Sequence, residues 1–464
     1  MKRAFKASVA LGVIFSTSAF GVSLNFSGNF RTEGALYNKG NLTSTGQASS
    51  KAFLQSRALL QPKLVIDDHF SLNSQWSLLQ SPDLTPSTKA NNSALSQGQG
   101  GYIFGDPATT ALVLSRAWLE WISDFGVVRV GRMPVSWGYG LLWDSGSGTW
   151  DDFQTTLDRL EYRLHFGHVV GALAYSKPMK TSVLGNNADQ DFYTIYLKYD
   201  NPEQDVEAGI LFERQIRANT TAMTTALRTT ANPMHIALPT GSTEPRPALA
   251  VNAPHPLSNN VLDIYVKKTI DYFTIGGEVG WMTGTAVDFN NSGSPDELNA
   301  LGVMLNVSYD YHKVKAFLDF LYASGDATLS DRLNGFILLH RNRRPGLILG
   351  RELLGAAYGN NVGHGSPLYY GTSGFSGVYY FRPGFRVDWS PSWASGLEVI
   401  IANKAVTGAG ENGHLGVELD VGTDHAFYKN FDLGLQLGYL FPGKGIATAA
   451  PGVFAVRTTA SIRF

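Results

Sequence analysis

Residues 22–36 read Val22-Ser23-Leu24-Asn25-Phe26-Ser27-Gly28-Asn29-Phe30-Arg31-Thr32-Glu33-Gly34-Ala35-Leu36, and this stretch decides the fold. Leu24, Phe26, Phe30 and Leu36 share one parity, while Ser23, Asn25, Ser27, Asn29, Arg31 and Glu33 occupy the other. Successive side chains of a strand point to opposite faces, so one face is oily and the other polar and ionisable.

The same alternation recurs to the carboxy terminus, where Phe454-Ala455-Val456-Arg457-Thr458-Thr459-Ala460-Ser461-Ile462-Arg463-Phe464 closes the chain. Connections between the segments alternate in length. Tight turns fall at Asp67-Asp68-His69 and near Asp124, Gly167, Pro202, Asp271, Tyr311, Pro391 and Lys429. Long polar stretches cover 80–110, 135–153, 176–189, 216–259, 283–297, 324–375 and 441–451. Counting segments gives about eighteen strands, the even number expected of a bacterial single-chain barrel with short periplasmic turns and long extracellular loops. Beyond the first residues no run of about 18 apolar residues occurs, which excludes a bundle of membrane-spanning helices. Hydrocarbon offers no hydrogen-bond partner, so every backbone group of a spanning sheet must be paired within the protein. The sequence therefore predicts an all-β fold, a closed antiparallel transmembrane β-barrel over residues 22–464. Barrels of about 16–18 strands enclose water, so a pore is the default consequence.

The amino terminus fixes the compartment. Lys2, Arg3 and Lys6 precede an apolar run from Ala7 to Phe15 and the small-x-small sequence Ala19-Phe20-Gly21. Residues 1–21 read as a secretory signal peptide, its apolar part being too short for a helical span. With export, the barrel belongs in the bacterial outer membrane. Cysteine is absent, so hydrogen bonding and packing alone must hold the fold. Lys and Arg number 37 against 38 Asp and Glu, a balance that argues against a nucleic-acid partner. Rings on the apolar parity fall near both strand ends, as headgroup girdles require. Phe70, Trp121, Tyr199, Phe273, Tyr309, Trp389 and Phe464 would form the periplasmic belt, and Trp76, Tyr175, Phe212, Trp281, Tyr322 and Tyr439 the outer one.

Four stretches carry a closer likeness: Val128-Arg129-Val130-Gly131-Arg132-Met133-Pro134 with Trp137, Gly138 and Gly140; Tyr322-Ala323-Ser324-Gly325-Asp326; Glu418-Leu419-Asp420-Val421-Gly422; and Tyr439-Leu440-Phe441-Pro442-Gly443. Together they resemble the alginate-export type of 18-stranded outer-membrane porin. The resemblance implies a passive diffusion channel with a charged constriction, admitting small hydrophilic solutes, anionic ones among them; it does not imply alginate. Phe464 likewise resembles the terminal signal read by the barrel insertion machinery. The other partners implied are outer-membrane lipid and lipopolysaccharide.

Candidate constriction residues are Arg129, Arg132, Arg341, Arg343, Arg344, Arg382, Arg386, Glu418 and Asp420. The stretch His340-Arg341-Asn342-Arg343-Arg344-Pro345 is strongly cationic. Folded inward it would favour anions; left outside it would meet lipopolysaccharide phosphate. The bland alternative is that wall charges pair across strands and simply hold the barrel in shape. Asp326 and Asp331 could hold Ca²⁺, but without an EF-hand pattern they carry little weight, and Ser324-Gly325-Asp326 also reads as turn chemistry. No Gly-x-Ser-x-Gly elbow or His-Glu-x-x-His motif occurs, and the ten His are scattered. A catalytic centre, cofactor or metal is therefore not expected, although a hydrolase using His414 near Glu418, or His364 or His340 near Ser residues, is a competing class. A surface-binding barrel using loops 80–110 and 216–259 is another.

Overall fold

A computed structural model describes residues 22–38, 50–78, 97–98, 102–103, 112–151, 153–177, 190–217, 257–285, 297–325, 332–333, 343, 345–350, 370–371, 374–375, 377–407, 412–446 and 451–464. Among them, eighteen long strands form the wall. They are β1 (Ser23–Tyr37), β2 (Lys51–Val65), β3 (Phe70–Leu78), β4 (Val113–Ser123), β5 (Gly126–Pro134), β6 (Thr156–Phe166), β7 (Val169–Lys177), β8 (Gln190–Asn201) and β9 (Val206–Arg217), followed by β10 (Leu257–Ile270), β11 (Phe273–Thr285), β12 (Glu297–Tyr311), β13 (Val314–Ala323), β14 (Val378–Ser390), β15 (Trp393–Lys404), β16 (His414–Tyr428), β17 (Phe431–Pro442) and β18 (Val453–Arg463). Each long strand pairs antiparallel with its sequence neighbours, and β1 pairs with β18 from Asn29↔Arg463 to Tyr37↔Ala455. That last ladder closes the sheet. The barrel is a closed 18-stranded antiparallel structure, as the alternation predicts, and its lack of edges satisfies the backbone in lipid.

The turns sit where turn chemistry placed them. Asp67 Oδ1 accepts the N–H groups of His69 and Phe70, while Asp205, Asp271 and His312 adopt left-handed φ of 50–54° at their reversals. All eight tight turns lie at one end together with both barrel termini. This is the periplasmic end in the topology of such barrels.

Burial is inverted relative to a soluble protein. Leu24 and Phe26 are 51% and 56% exposed, whereas Arg31 and Glu33 are 3% and 2% exposed. The oily parity of every spanning strand faces outward and the ionisable parity faces in, which identifies the surroundings as lipid. The periplasmic girdle is built of paired rings: Phe70 stacks on Trp121 at 6.0 Å, and Phe273 packs at a tilt against Tyr309 at 4.8 Å. The main buried apolar cluster lies inside the barrel, made by two segments that turn inward from the outer rim. They are residues 135–151 with 153–155, between β5 and β6, and residues 343 and 345–350, between β13 and β14. The expected signal peptide, 1–21, lies outside the described residues.

Candidate pore constriction

Past Pro134 the chain bends into the barrel, helped by left-handed φ of 53° at Gly138 and 78° at Gly140, a region that glycine enters without steric cost. Trp137 N–H donates to Trp143 O at 3.1 Å, closing a compact tip. The tip docks on β8–β11. The Trp137 indole packs against Tyr196 and Tyr265, with centroids at 5.4 and 5.1 Å, and donates to Asp263 Oδ1 at 3.0 Å. Backbone N–H groups of Tyr139 and Leu141 donate to the Glu278 carboxylate at 2.5 and 3.3 Å. The wall opposite the tip is glycine. A Cβ at Gly209 would come within 2.8 Å of the Trp137 ring, one at Gly280 within 2.9 Å of Leu142, and one at Gly276 would overlap the Tyr139 hydroxyl. Burial, then the carboxylates of Glu207 and Glu278, push the Tyr139 phenol up to about 12, so it stays protonated.

The far half of this segment crosses to β1, β2, β4 and β18. Arg31 and Arg57 donate to Thr149 O and Asp151 O at 2.8 and 2.7 Å, and Arg116 donates to Ser145 O at 2.5 Å. The Trp150 ring lies 5.7 Å from the Arg31 guanidinium and 5.4 Å from that of Arg457. The Asp151 carboxyl is raised above its ordinary pKa by burial and by neighbouring Asp144.

The second segment is held by the same chemistry on β16. Leu347 N–H donates to Asp420 at 2.9 Å, and those of Ile348 and Leu349 donate to the two Glu418 oxygens at 2.6 Å each. A Cβ at Gly438 would come within 3.2 Å of Leu347, so glycine again makes the seat. The carboxyl oxygens of each acidic pair accept backbone N–H groups that the inserted segments would otherwise bury unpaired, so each pair is an anchor. The two segments are tied together. Arg343 donates to Asp144 Oδ2 at 2.9 Å and to Gly140 O at 3.3 Å, and Leu347, Ile348 and Leu349 join Trp137, Leu141, Leu142 and Trp143 in one apolar cluster.

Beside this clasp the lumen holds two adjoining cavities of about 660 and 310 Å³. Both are bounded by Arg386, Asp424, Gln436 and Arg457, the smaller also by Arg382, Glu398 and Asp420. Arg382 Nε donates to Asp319 at 2.9 Å, Arg386 contacts Asp388 and Asp424 at 3.1 and 3.2 Å, and Arg457 donates to Glu33 at 2.5 Å. Carboxylates thus steady the guanidiniums on the wall.

The candidates from the sequence are distributed unevenly. Arg382 and Arg386 line the passage. Arg343 is drawn inward but serves as the tie to Asp144. Arg129 faces inward yet is buried between Glu120 and Glu161, each at 3.4 Å. Glu418 and Asp420 face inward as loop anchors, at 0% and 7% exposure, so the charge expected at an open constriction is covered by backbone N–H groups. Arg132 is a correction. Three positions from Arg129, it shares the outward parity of Val130 and pairs with Asp158 at 2.7 Å on the outer wall. Arg341, Arg344, His340, His364, Asp326 and Asp331 lie outside the described residues. His414 bonds Asn403 at 3.0 Å, while the nearby Glu418 is occupied by the inserted segment. The sequence reading missed that 135–155 enters the barrel, and with it the roles of Asp263, Glu278 and Arg457. The available signal was apolar: Trp137, Leu141, Leu142 and Trp143 are out of place in a solvated outer loop.

No family model matches the sequence, and no curated protein matches it. Solved structures do. A BenF-like porin from Pseudomonas fluorescens Pf-5 is 10% identical over 95% of this chain and 98% of its own, with a TM-score of 0.52. Pseudomonas aeruginosa OccK9 (OpdG) is 12% identical over 95% and 99%, with a TM-score of 0.52. Pseudomonas aeruginosa OccK2 (OpdF), solved in complex with glucuronate, is 10% identical over 95% and 98%, with a TM-score of 0.51. At such identities the likeness is one of fold, and it agrees with the lipid-facing wall: the chain is an outer-membrane β-barrel of porin architecture.

Proposed function

We propose that the protein is a passive diffusion channel for small hydrophilic solutes with a preference for anions. The carrying observation is the arginine-lined passage beside the two inserted segments. Of its acidic neighbours, Asp319, Asp388 and Asp424 are engaged with guanidiniums and Asp420 with a backbone N–H, while Glu398 bounds the smaller cavity beside Arg382. Each guanidinium carries five N–H donors, and Arg382 and Arg386 place two each on carboxylates while bounding the cavity. A solute carboxylate or phosphate is what such donors bind best. The glucuronate held by OccK2 belongs to this chemical class, and the motif likeness to the alginate-export family fits the same reading. In this reading Phe464 is the end recognised by the insertion machinery.

Planar-bilayer recordings of the refolded barrel in a salt gradient test this. Wild type gives a reversal potential on the anion side. Arg382→Ser, Arg386→Ser and Arg457→Ser together move it towards cations by several millivolts, because the focused field of the narrow region loses its positive members. A folded barrel that passes no current sinks the channel reading and favours a surface-binding barrel. Conductance with an unmoved reversal potential sinks the anion preference alone.

A further inference from the structure

Lipid-facing positions of the strands are apolar almost throughout, which makes the exceptions informative. Among the described residues, Lys, Arg, Asp or Glu on the outward parity near the outer rim gather on β5–β9, with Glu297 of β12 standing apart. Arg132, Asp158, Lys177, Asp191 and Arg214 share the parity of the exposed Val130, Leu160, Leu173, Ile195 and Phe212. At the same height, β13–β18 present Tyr322, Phe381, Ile401, Tyr439 and Phe454 outward and none of those four charged types. The outer rim therefore has a charged arc and an aromatic arc.

The charged arc is an ordered row. Asp158 lies opposite both Arg132 and Lys177 in the strand registers. Arg132 grips Asp158 through Nε and Nη2 at 2.7 Å each, and Lys177 Nζ meets Asp191 at 2.8 Å, where the Tyr175 hydroxyl also donates at 2.6 Å. Arg214 follows on β9, donating to Asn260 at 2.8 Å. Strands lie about 5 Å apart, which sets Arg132 and Lys177 roughly 10 Å from each other. Tyr175, two residues below Lys177, marks the headgroup level beneath it, and Tyr193 lies level with Arg214 in the strand register.

We propose that this arc binds the phosphate groups of the outer-leaflet glycolipid. Charges on the lipid face are tolerated only near the interface, so their height fits phosphate rather than acyl chain. The aspartates hold the cations upright and spaced, and Arg132 commits only two of its five donors to Asp158. Three cations against two carboxylates leave the row net positive. The inference rests on the outer-membrane placement and is independent of the channel, since these side chains lie outside the lumen.

The test is native mass spectrometry of the refolded barrel with a lipid A-type diglucosamine lipid carrying two phosphomonoesters, alongside the same lipid after dephosphorylation. Wild type retains the phosphorylated form at least tenfold better. The Arg132→Ser, Lys177→Ser, Arg214→Ser triple variant loses that preference while keeping heat-modifiable migration and conductance. Asp158→Asn with Asp191→Asn separates this from a purely structural ladder, since freeing the cations maintains or raises retention of the phosphorylated lipid. Equal retention of the two lipids by wild type overturns the proposal. So does an Asp double variant that loses binding as the cation variant does, or full competition by millimolar inorganic phosphate, which makes the site one for a free ion. Should the triple variant fail to fold, Lys177→Ser alone carries the same comparison, with a severalfold loss expected and no change overturning the proposal.

Discussion

Glu418 places one oxygen on Ile348 N–H and the other on Leu349 N–H, at 2.6 Å each, so a single side chain satisfies two successive buried donors. Replacing it by leucine strands both. An unpaired buried donor costs about 1–3 kcal/mol, and two exceed what the few apolar contacts of a short segment can offset. Glu418→Leu should therefore release residues 345–350 from the wall, seen as larger and noisier single-channel conductance, while the strand ladder keeps the barrel folded. Glu418→Gln retains one acceptor oxygen and should fall between the two. Indistinguishable conductance in all three would remove the anchor from the account. The sequence placed Glu418 and Asp420 on the inward face because parity is a property of the strand itself. It could not say what they meet, because the partner arrives from some 70 residues away. Arg129 and Arg132 show the opposite lesson, since residues three apart on a regular strand point to opposite faces and cannot both line one lumen.

At the scale of elements, the inserted segment 135–155 needs its glycine seats as much as its acidic anchors. Trp137, Tyr139 and Leu142 reach Gly209, Gly276 and Gly280, where side-chain-free backbone lets the tip approach the wall. Gly276→Leu would fill the space held by the Tyr139 ring and expel the tip. The expected result is raised conductance and faster proteolysis within 135–155, with unchanged heat-modifiable migration. Adding Tyr139→Ala opens room for the new side chain and should restore part of the wild-type conductance. Failure of that rescue would show that strand damage, not a blocked seat, caused the change. Strands and their turns were legible because a two-residue period and turn residues are local signals. The destination of a loop is decided by complementarity across the lumen, which leaves only composition as a trace: the apolar Trp137 to Trp143 in a place where polarity was expected.

The whole molecule depends on one ladder, the pairing of β1 with β18, because it turns a sheet with two edges into a ring. Gly28 N–H donates to Phe464 O at 2.9 Å and Phe464 N–H returns to Gly28 O at 3.1 Å, so the seam is bonded to the last residue. Charges cross it as well, with Arg457 of β18 donating to Glu33 of β1. A chain ending at residue 451 would leave β1 and β17 with open edges. Each unsatisfied backbone group in hydrocarbon costs several kcal/mol, and a strand of 11 residues supplies partners to both neighbours at once. The loss far exceeds the 5–15 kcal/mol by which folded domains are typically stable. The truncated chain should show no compact heat-modifiable band, no conductance and extensive aggregation. A milder change, Gly28→Val, sets a side chain against the Phe464 ring, where even a Cβ would come within 2.7 Å. It should lower the unfolding temperature without abolishing the barrel, because the remaining rungs of the seam survive. Were the truncated chain to fold and conduct, closure by β18 would not be what holds the ring together, and the lumen would have to be bounded by another pairing of strands.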